Sequence, residues 1–156
     1  MTIRSAQPKD IPALLGLLEQ ILSVHHQARP DIFKEKGGKY SEEELKKLMT
    51  QEQTPIFVYE NADDQILGHL FITIKEVSDN PVLHPIKTLF IEDLCVDQAA
   101  RGQKIGDQLY QFAVNFAKKI GCYNLTLNVW NDNEGALRFY QRQGMKPQET
   151  VMETIL

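Results

Sequence analysis

Apolar residues at Ile11, Leu14, Leu15, Leu18, Ile21 and Leu22 recur every three or four positions, the spacing that gathers them on one helix face. Gln7-Pro8-Lys9-Asp10 supplies a turn and an N-cap ahead of them, and Pro12 is tolerated because it falls in the first turn. Thr2 to Ala6 predicts a short strand before this turn. Ser41 with Glu44 three residues later forms a capping box that opens a second helix, through about Thr50. Pro55 to Glu60 and Ile66 to Lys75 are rich in β-branched and aromatic residues and flank Asn61-Ala62-Asp63-Asp64, which predicts a hairpin.

Thr88 to Val96 (TLFIEDLCV) predicts a further strand, with Leu89, Ile91, Asp93 and Cys95 on one face and Phe90, Glu92, Leu94 and Val96 on the other. From Gly102 onward Ile105, Leu109, Phe112, Phe116 and Ile120 keep helical spacing until Gly121, a natural stop. Asn124 to Val129 follows as a strand. Asn133 caps a last helix to Gln143, and Met145 to Leu156 holds one or two closing strands around Pro147. The order predicts an α/β fold, a mixed central sheet flanked by helices. Strand 88–96, helix 102–120 and strand 124–129 form a right-handed βαβ unit, so its two strands are expected to be parallel.

No repeat, low-complexity tract or linker divides the 156 residues, so one domain over 1–156 is expected. With 42% hydrophobic and 24% charged residues the chain needs no disulfide or metal to hold a core. Seventeen Lys plus Arg against 21 Asp plus Glu give a net charge of -4, the wrong sign for a dedicated nucleic-acid binder. Apolar runs fall far short of the ~20 residues that span a bilayer, and MTIRSAQPKD lacks the apolar stretch of a signal peptide. The expectation is a soluble cytoplasmic protein with reduced thiols and no membrane or nucleic-acid partner.

The chemistry concentrates at Arg101-Gly102-Gln103-Lys104-Ile105-Gly106, where a strand turns into a helix. Free backbone N–H groups and the positive end of the helix dipole suit a pyrophosphate there; the alternative is a glycine-rich turn with solvated cations. Strand IEDLCV precedes this turn, and Asn133-Glu134-Gly135-Ala136-Leu137-Arg138-Phe139-Tyr140 and Gly144-Met145 follow. Together they resemble the GNAT superfamily of acetyl-coenzyme A dependent N-acetyltransferases, whose signature turn reads R/Q-x-x-G-x-G/A and whose later helix reads N-x-x-A-x-x-x-Y. Lys104 stands where the motif has its first glycine, so a positive φ at that position would cost about 1 kcal/mol or more.

The resemblance implies a GNAT fold splayed between strands 88–96 and 124–129, with pantetheine pairing along Leu94, Cys95 and Val96 and pyrophosphate on the amides of Arg101, Gly102, Gln103, Lys104, Ile105 and Gly106. Asn133 would reach the pantetheine or act as a plain N-cap. Tyr140 would sit near the coenzyme sulfur, where a phenol near pKa 10 can assist a departing thiolate, or else pack in the core. Glu92 matches a glutamate that serves as base in some branches, Asp93 being its rival across the strand. The implied cosubstrate is acetyl-CoA, with no metal. The implied partner is a primary amine of a small molecule or protein, attacking directly in a ternary complex; a homodimer is left open. A catalytically weak coenzyme A-binding regulatory or scaffold domain is the alternative, and Lys104 is its best support. The long connection from Gln27 to Tyr40, with Asp31 and Phe33, is expected to shape the acceptor site unless it is a solvated connector. Adjacent His25 and His26 diverge on a helix, which excludes the i, i+4 zinc pair, and Cys95 reads as an inert buried thiol.

Overall fold

In the computed structural model, which describes residues 1–156, five strands form one sheet in chain order: β1 (Thr2–Ser5), β2 (Ile56–Glu60), β3 (Ile66–Val77), β4 (Ile86–Val96) and β5 (Asn124–Leu127). The first four pair antiparallel, and β5 joins β4 in parallel after the crossover through α3 (Ile105–Lys119). One face of the sheet carries α3. Its Ile105, Leu109, Ala113 and Ala117 pack with Leu70, Ile72, Leu89 and Ile91 of the central strands. The other face carries α1 (Ile11–Ala28) and α2 (Glu42–Met49), whose Leu14, Leu18 and Leu45 meet Val58 and Phe71. Each fully buried leucine here contributes about 1.5–3 kcal/mol over leaving it in water. The chain closes with α4 (Glu134–Arg142).

Local signals act as expected in several places. The Ser41 hydroxyl accepts from the Glu44 N–H at 3.1 Å while the Glu44 carboxylate accepts from the Ser41 N–H, so α2 starts at its capping box. Asp10 differs. Its carboxylate makes no cap but accepts from the Gln7 N–H at 2.7 Å and from two Arg4 nitrogens at 2.8 and 3.0 Å, tying β1 to α1 through a single 3₁₀ turn.

Two expectations are corrected. Residues 145–156 form no strand: beyond Met145 the segment is exposed throughout, because no free edge of this chain is brought alongside to receive it. Glu92 and Asp93 do not lie on opposite faces. Leu70 pairs with Leu94 and Phe71 with Asp93, yet Ile72 pairs with Ile91, which leaves Glu92 as the extra residue of a β-bulge. A bulge interrupts the alternation of the strand and re-aims the side chains beside it.

Candidate active site

The parallel ladder joins only Thr88–Ile91 to Asn124–Leu127. Beyond Ile91, β4 continues five residues paired to β3 alone, so the sheet opens between β4 and β5 and one backbone edge of Leu94–Val96 faces the gap. The second strand thus ends at Leu127, two residues short of expectation, because there it leaves its partner. This opening is the splay that the sequence implies.

Glu92 and Asp93 stand at its mouth on the face covered by α1. His69, Phe71 and Thr73 alternate along β3 and share that face. His69 Nε2–H donates to Asp93 Oδ2 at 2.6 Å and the Thr73 hydroxyl donates to Glu92 Oε1 at 2.9 Å. His69 is fully buried and Asp93 is 9% exposed. The second nitrogen of His69, Nδ1, and Nδ1 of His25 are both buried without a protein partner. Leaving such a group unmatched costs about 1–3 kcal/mol, so the two imidazoles mark a polar site within an otherwise apolar wall.

Burial lowers the His25 pKa despite the opposing pull of Asp93. The ring stacks on Phe33 at 4.8 Å, and Phe33 meets Trp130 edge-on at 5.6 Å. The adjacent His26 donates from Nδ1 to the Phe33 carbonyl at 2.8 Å, fixing the start of the 29–40 loop. At its far end Tyr40 stacks on Phe71 at 5.5 Å, and burial, then Glu92 and Asp93, raise its pKa. Asp31 does not face the opening freely: its carboxylate takes two bonds from Arg29, at 2.9 and 2.8 Å.

Across the gap, Tyr140 of α4 is raised above the ordinary tyrosine range by burial and then by the negative charge of Asp93, and no protein hydrogen bond reaches its hydroxyl. Burial, aided by Asp93, pushes the Cys95 thiol up to about 12, and its sulfur lies 3.5 Å from the Leu17 carbonyl, so a thiolate nucleophile there is disfavoured. Cys122 is likewise raised by burial.

The 101–106 turn ends β4 through the 3₁₀ turn Gln98–Ala100. No backbone N–H from Arg101 to Asp107 donates to a protein acceptor, so the turn and the first turn of α3 present a row of free donors. Gly102 has φ +86°, and Lys104 has φ 59°, ψ 26°, the left-handed conformation that favours the glycine it replaces. Gly106 serves a close approach instead: an added Cβ would lie 3.2 Å from the Phe139 ring. Asn133 Oδ1 accepts from the Ala136 N–H at 3.2 Å and so caps α4.

Sequence reasoning missed His69, and of His25 and His26 it established only that they form no i, i+4 zinc pair. The sole available signal was the two-residue spacing of His69, Phe71 and Thr73, which acquires meaning only through the register with β4.

The family model described as acetyltransferase (GNAT) family matches residues 18–145. An uncharacterised N-acetyltransferase of Methanocaldococcus jannaschii is 29% identical over 86% of this chain and 58% of its own length. The glucosamine 6-phosphate N-acetyltransferase of Arabidopsis thaliana is 32% identical over 40% of each chain, so this chain spans only part of these curated relatives. A Bacillus halodurans protein solved as a tetramutant superposes with a TM-score of 0.95 over 100% of both chains at 28% identity. The solved Arabidopsis enzyme shares the fold at a TM-score of 0.72, 22% identity, over 99% of this chain and 97% of its own. With the family match running from α1 through the signature turn to the end of α4, the chain belongs to the GNAT acetyltransferase family.

Proposed function

We propose that the protein transfers the acetyl group of acetyl-CoA to a primary amine by direct attack in a ternary complex. The observation that carries this reading is the opened sheet with two chemically different walls. The coenzyme side has the unpaired edge of Leu94–Val96, the free N–H groups of 101–107 and the Tyr140 hydroxyl. The acceptor side has Glu92, Asp93 and the aromatic cluster of the 29–40 loop. Strand amides at the gap polarise the thioester carbonyl.

The amine nitrogen forms its bond to the carbonyl carbon, the carbon–sulfur bond breaks, and the nitrogen releases a proton. Glu92 takes that proton directly or through water, its free oxygen being available while the other holds Thr73. Asp93 is engaged by His69 and acts on position and charge. Tyr140, kept a phenol by its burial, hydrogen-bonds the departing sulfur. Asn133 borders the coenzyme side, and Phe33 contacts the acceptor, while Asp31 holds Arg29. The acidic wall favours a cationic amine. The setting is cytoplasmic and no metal takes part.

The left-handed Lys104 favours a second reading, a coenzyme-binding domain with little turnover. Thiol release from acetyl-CoA over a panel of polyamines, lysine peptides and amino sugars separates the two. Amine-dependent release supports transfer. A thermal shift with acetyl-CoA but no release with any amine supports the second reading, and neither signal overturns both.

A further inference from the structure

Phe90 packs with neither apolar core. Its strand neighbours Leu89 and Ile91 are buried under α3, whereas Phe90 projects from the opposite face and is half-buried without joining the cluster under α1 and α2. That cluster reaches Phe71 on β3 and goes no further along the strand, while Thr73 and Lys75 continue the same face beyond it. The register places Phe90 opposite Thr73 and Lys75 opposite Thr88. Lys75 crosses the diagonal and sets its ammonium 3.8 Å from the centre of the Phe90 ring.

This ammonium has no carboxylate partner. The neighbouring Glu76 projects from the other face, where it pairs with Lys87 at 3.6 Å. Glu92, two residues beyond Phe90 on β4, is tied to Thr73 instead. On the same face the Thr88 hydroxyl donates to Asn124 Oδ1 at 2.7 Å, which leaves the Asn124 NH2 group without a protein acceptor. Two residues of a strand span roughly 6–7 Å. A proton-accepting carboxylate, an aromatic surface and an unpaired cation thus follow one another along one face that no helix covers.

We propose that the acceptor carries a carboxylate at the far end of a short apolar chain, an ω-amino acid in chemical class. Lys75 and the Asn124 amide bind the carboxylate, the chain lies on Phe90, and the amine meets Glu92. This rests on the acetyl-transfer reading and names its acceptor. The amine nitrogen bonds the acetyl carbon, CoA leaves as the thiol, and the carboxylate is unchanged. One compact ammonium matches one carboxylate charge. A phosphate calls for a second cation, and among Thr73, Lys75, Thr88, Phe90, Asn124 and Thr126 only Lys75 is one. Lys75 also discriminates by repulsion, since a diamine of the same length brings a second ammonium against it.

The test compares ω-amino acids, alkylamines and diamines matched in chain length, from aminobutyrate to aminooctanoate and their counterparts. Thiol release from acetyl-CoA reads turnover. Calorimetry in the presence of CoA, which has no acetyl group to transfer, reads binding of the same compounds. Lys75 is exposed, so Lys75→Ala and Lys75→Glu are expected to fold. At the best chain length the wild type is expected to favour the amino acid over the alkylamine about five-fold in kcat/KM, mostly through KM, with the diamine last. Higher salt should narrow the gap. Lys75→Ala is expected to bring amino acid and alkylamine within about two-fold, and Lys75→Glu to put the diamine first. Binding is expected to follow the same order. Release at equal kcat/KM for all three classes, or a preference that Lys75→Glu leaves in place, overturns the proposal and leaves acetyl transfer standing. Selective binding that depends on Lys75, with no release from any amine, overturns transfer and supports the carboxylate site. Neither release nor selective binding overturns both.

Discussion

Glu92 and Asp93, adjacent in sequence, project from the same face of β4, the first bonded to Thr73 at 2.9 Å and the second to His69 at 2.6 Å. The bulge at Glu92 produces this pairing. Two carboxylates side by side then have different work, because one is locked to a buried imidazole and the other keeps an oxygen free.

Glu92→Gln preserves shape and can still accept from Thr73, so it removes the base and little else. Turnover is expected to fall about 100-fold, within the range of general-base effects. The deficit is largest at low pH and shrinks as pH approaches about 10, where the amine loses its proton unaided. Asp93→Asn should keep the shape of the wild-type pH profile and lose stability instead, about 1–2 kcal/mol for a weakened charge-assisted bond. Steady-state rates across pH, with melting curves, check both. A wild-type profile for Glu92→Gln removes Glu92 from the mechanism.

Tyr140→Phe keeps the ring against Tyr110 and Phe139 and deletes only the hydroxyl. Turnover should drop about ten-fold or more with the acetyl-CoA dissociation constant nearly unchanged. Because burial and Asp93 raise the Tyr140 pKa, the wild-type rate should show no alkaline decline near the ordinary tyrosine value of about 10. Unchanged turnover in a chemistry-limited assay would assign Tyr140 to packing.

Lys104→Gly relieves a left-handed residue. The conformation costs a non-glycine about 1–2 kcal/mol, and glycine gives back roughly 0.5–1 kcal/mol through its more flexible unfolded chain. A net gain of about 0.5–1 kcal/mol is expected, a rise of roughly 1–4 °C in melting temperature. The lost cation should also make acetyl-CoA binding weaker and less sensitive to salt. Calorimetric titration at two ionic strengths measures both effects.

Local signals carried the helices and most strands. The Ser41 and Glu44 pair located α2 within a residue, and the spacing from Ile105 to Phe116 gave α3. The polar site was less accessible because it depends on register: an unbroken alternation through TLFIEDLCV places Glu92 and Asp93 on opposite faces, and only the pairing of Phe71 with Asp93 and Ile72 with Ile91 reveals the bulge. His69 was hidden for the same reason. Residues 145–156 have strand-like composition, yet a strand also needs an edge, and whether one lies within reach is a property of the assembled chain.

Acid should destabilise the fold through Asp10. Burial alone raises its pKa, but the Arg4 hydrogen bonds, the Gln7 N–H and the Arg4 charge outweigh that and hold it below the ordinary value. A depressed carboxylate contributes stability that is fully present above the unfolded pKa near 3.9 and is lost as pH falls through the folded value. Asp10→Asn should cost about 2 kcal/mol at neutral pH, the scale of hydrogen bonds to charged groups. Its stability should also depend less on pH below about 4 than that of the wild type. Urea melts from neutral pH to pH ~3 give the comparison, and parallel curves would place the acid sensitivity elsewhere.

Phe33 tests whether the 29–40 loop meets the acceptor. Its ring bridges His25 and Trp130, and its carbonyl is held by His26, so the aromatic surface is fixed in place before any ligand arrives. Phe33→Ala removes that surface while the backbone anchor through His26 remains. Aromatic contacts of this kind contribute about 0.5–1.5 kcal/mol, which corresponds to roughly a two- to ten-fold rise in the acceptor KM. If the contact is equal in ground and transition states, kcat stays near wild type, and the acetyl-CoA dissociation constant should hold within about two-fold. Asp31→Ala should act more weakly, because its carboxylate serves the exposed pair with Arg29. Steady-state kinetics with the best amine from the panel read the acceptor side, and calorimetry reads the coenzyme side. Wild-type kinetics in a Phe33→Ala variant that melts normally would make the loop a connector and move the acceptor elsewhere.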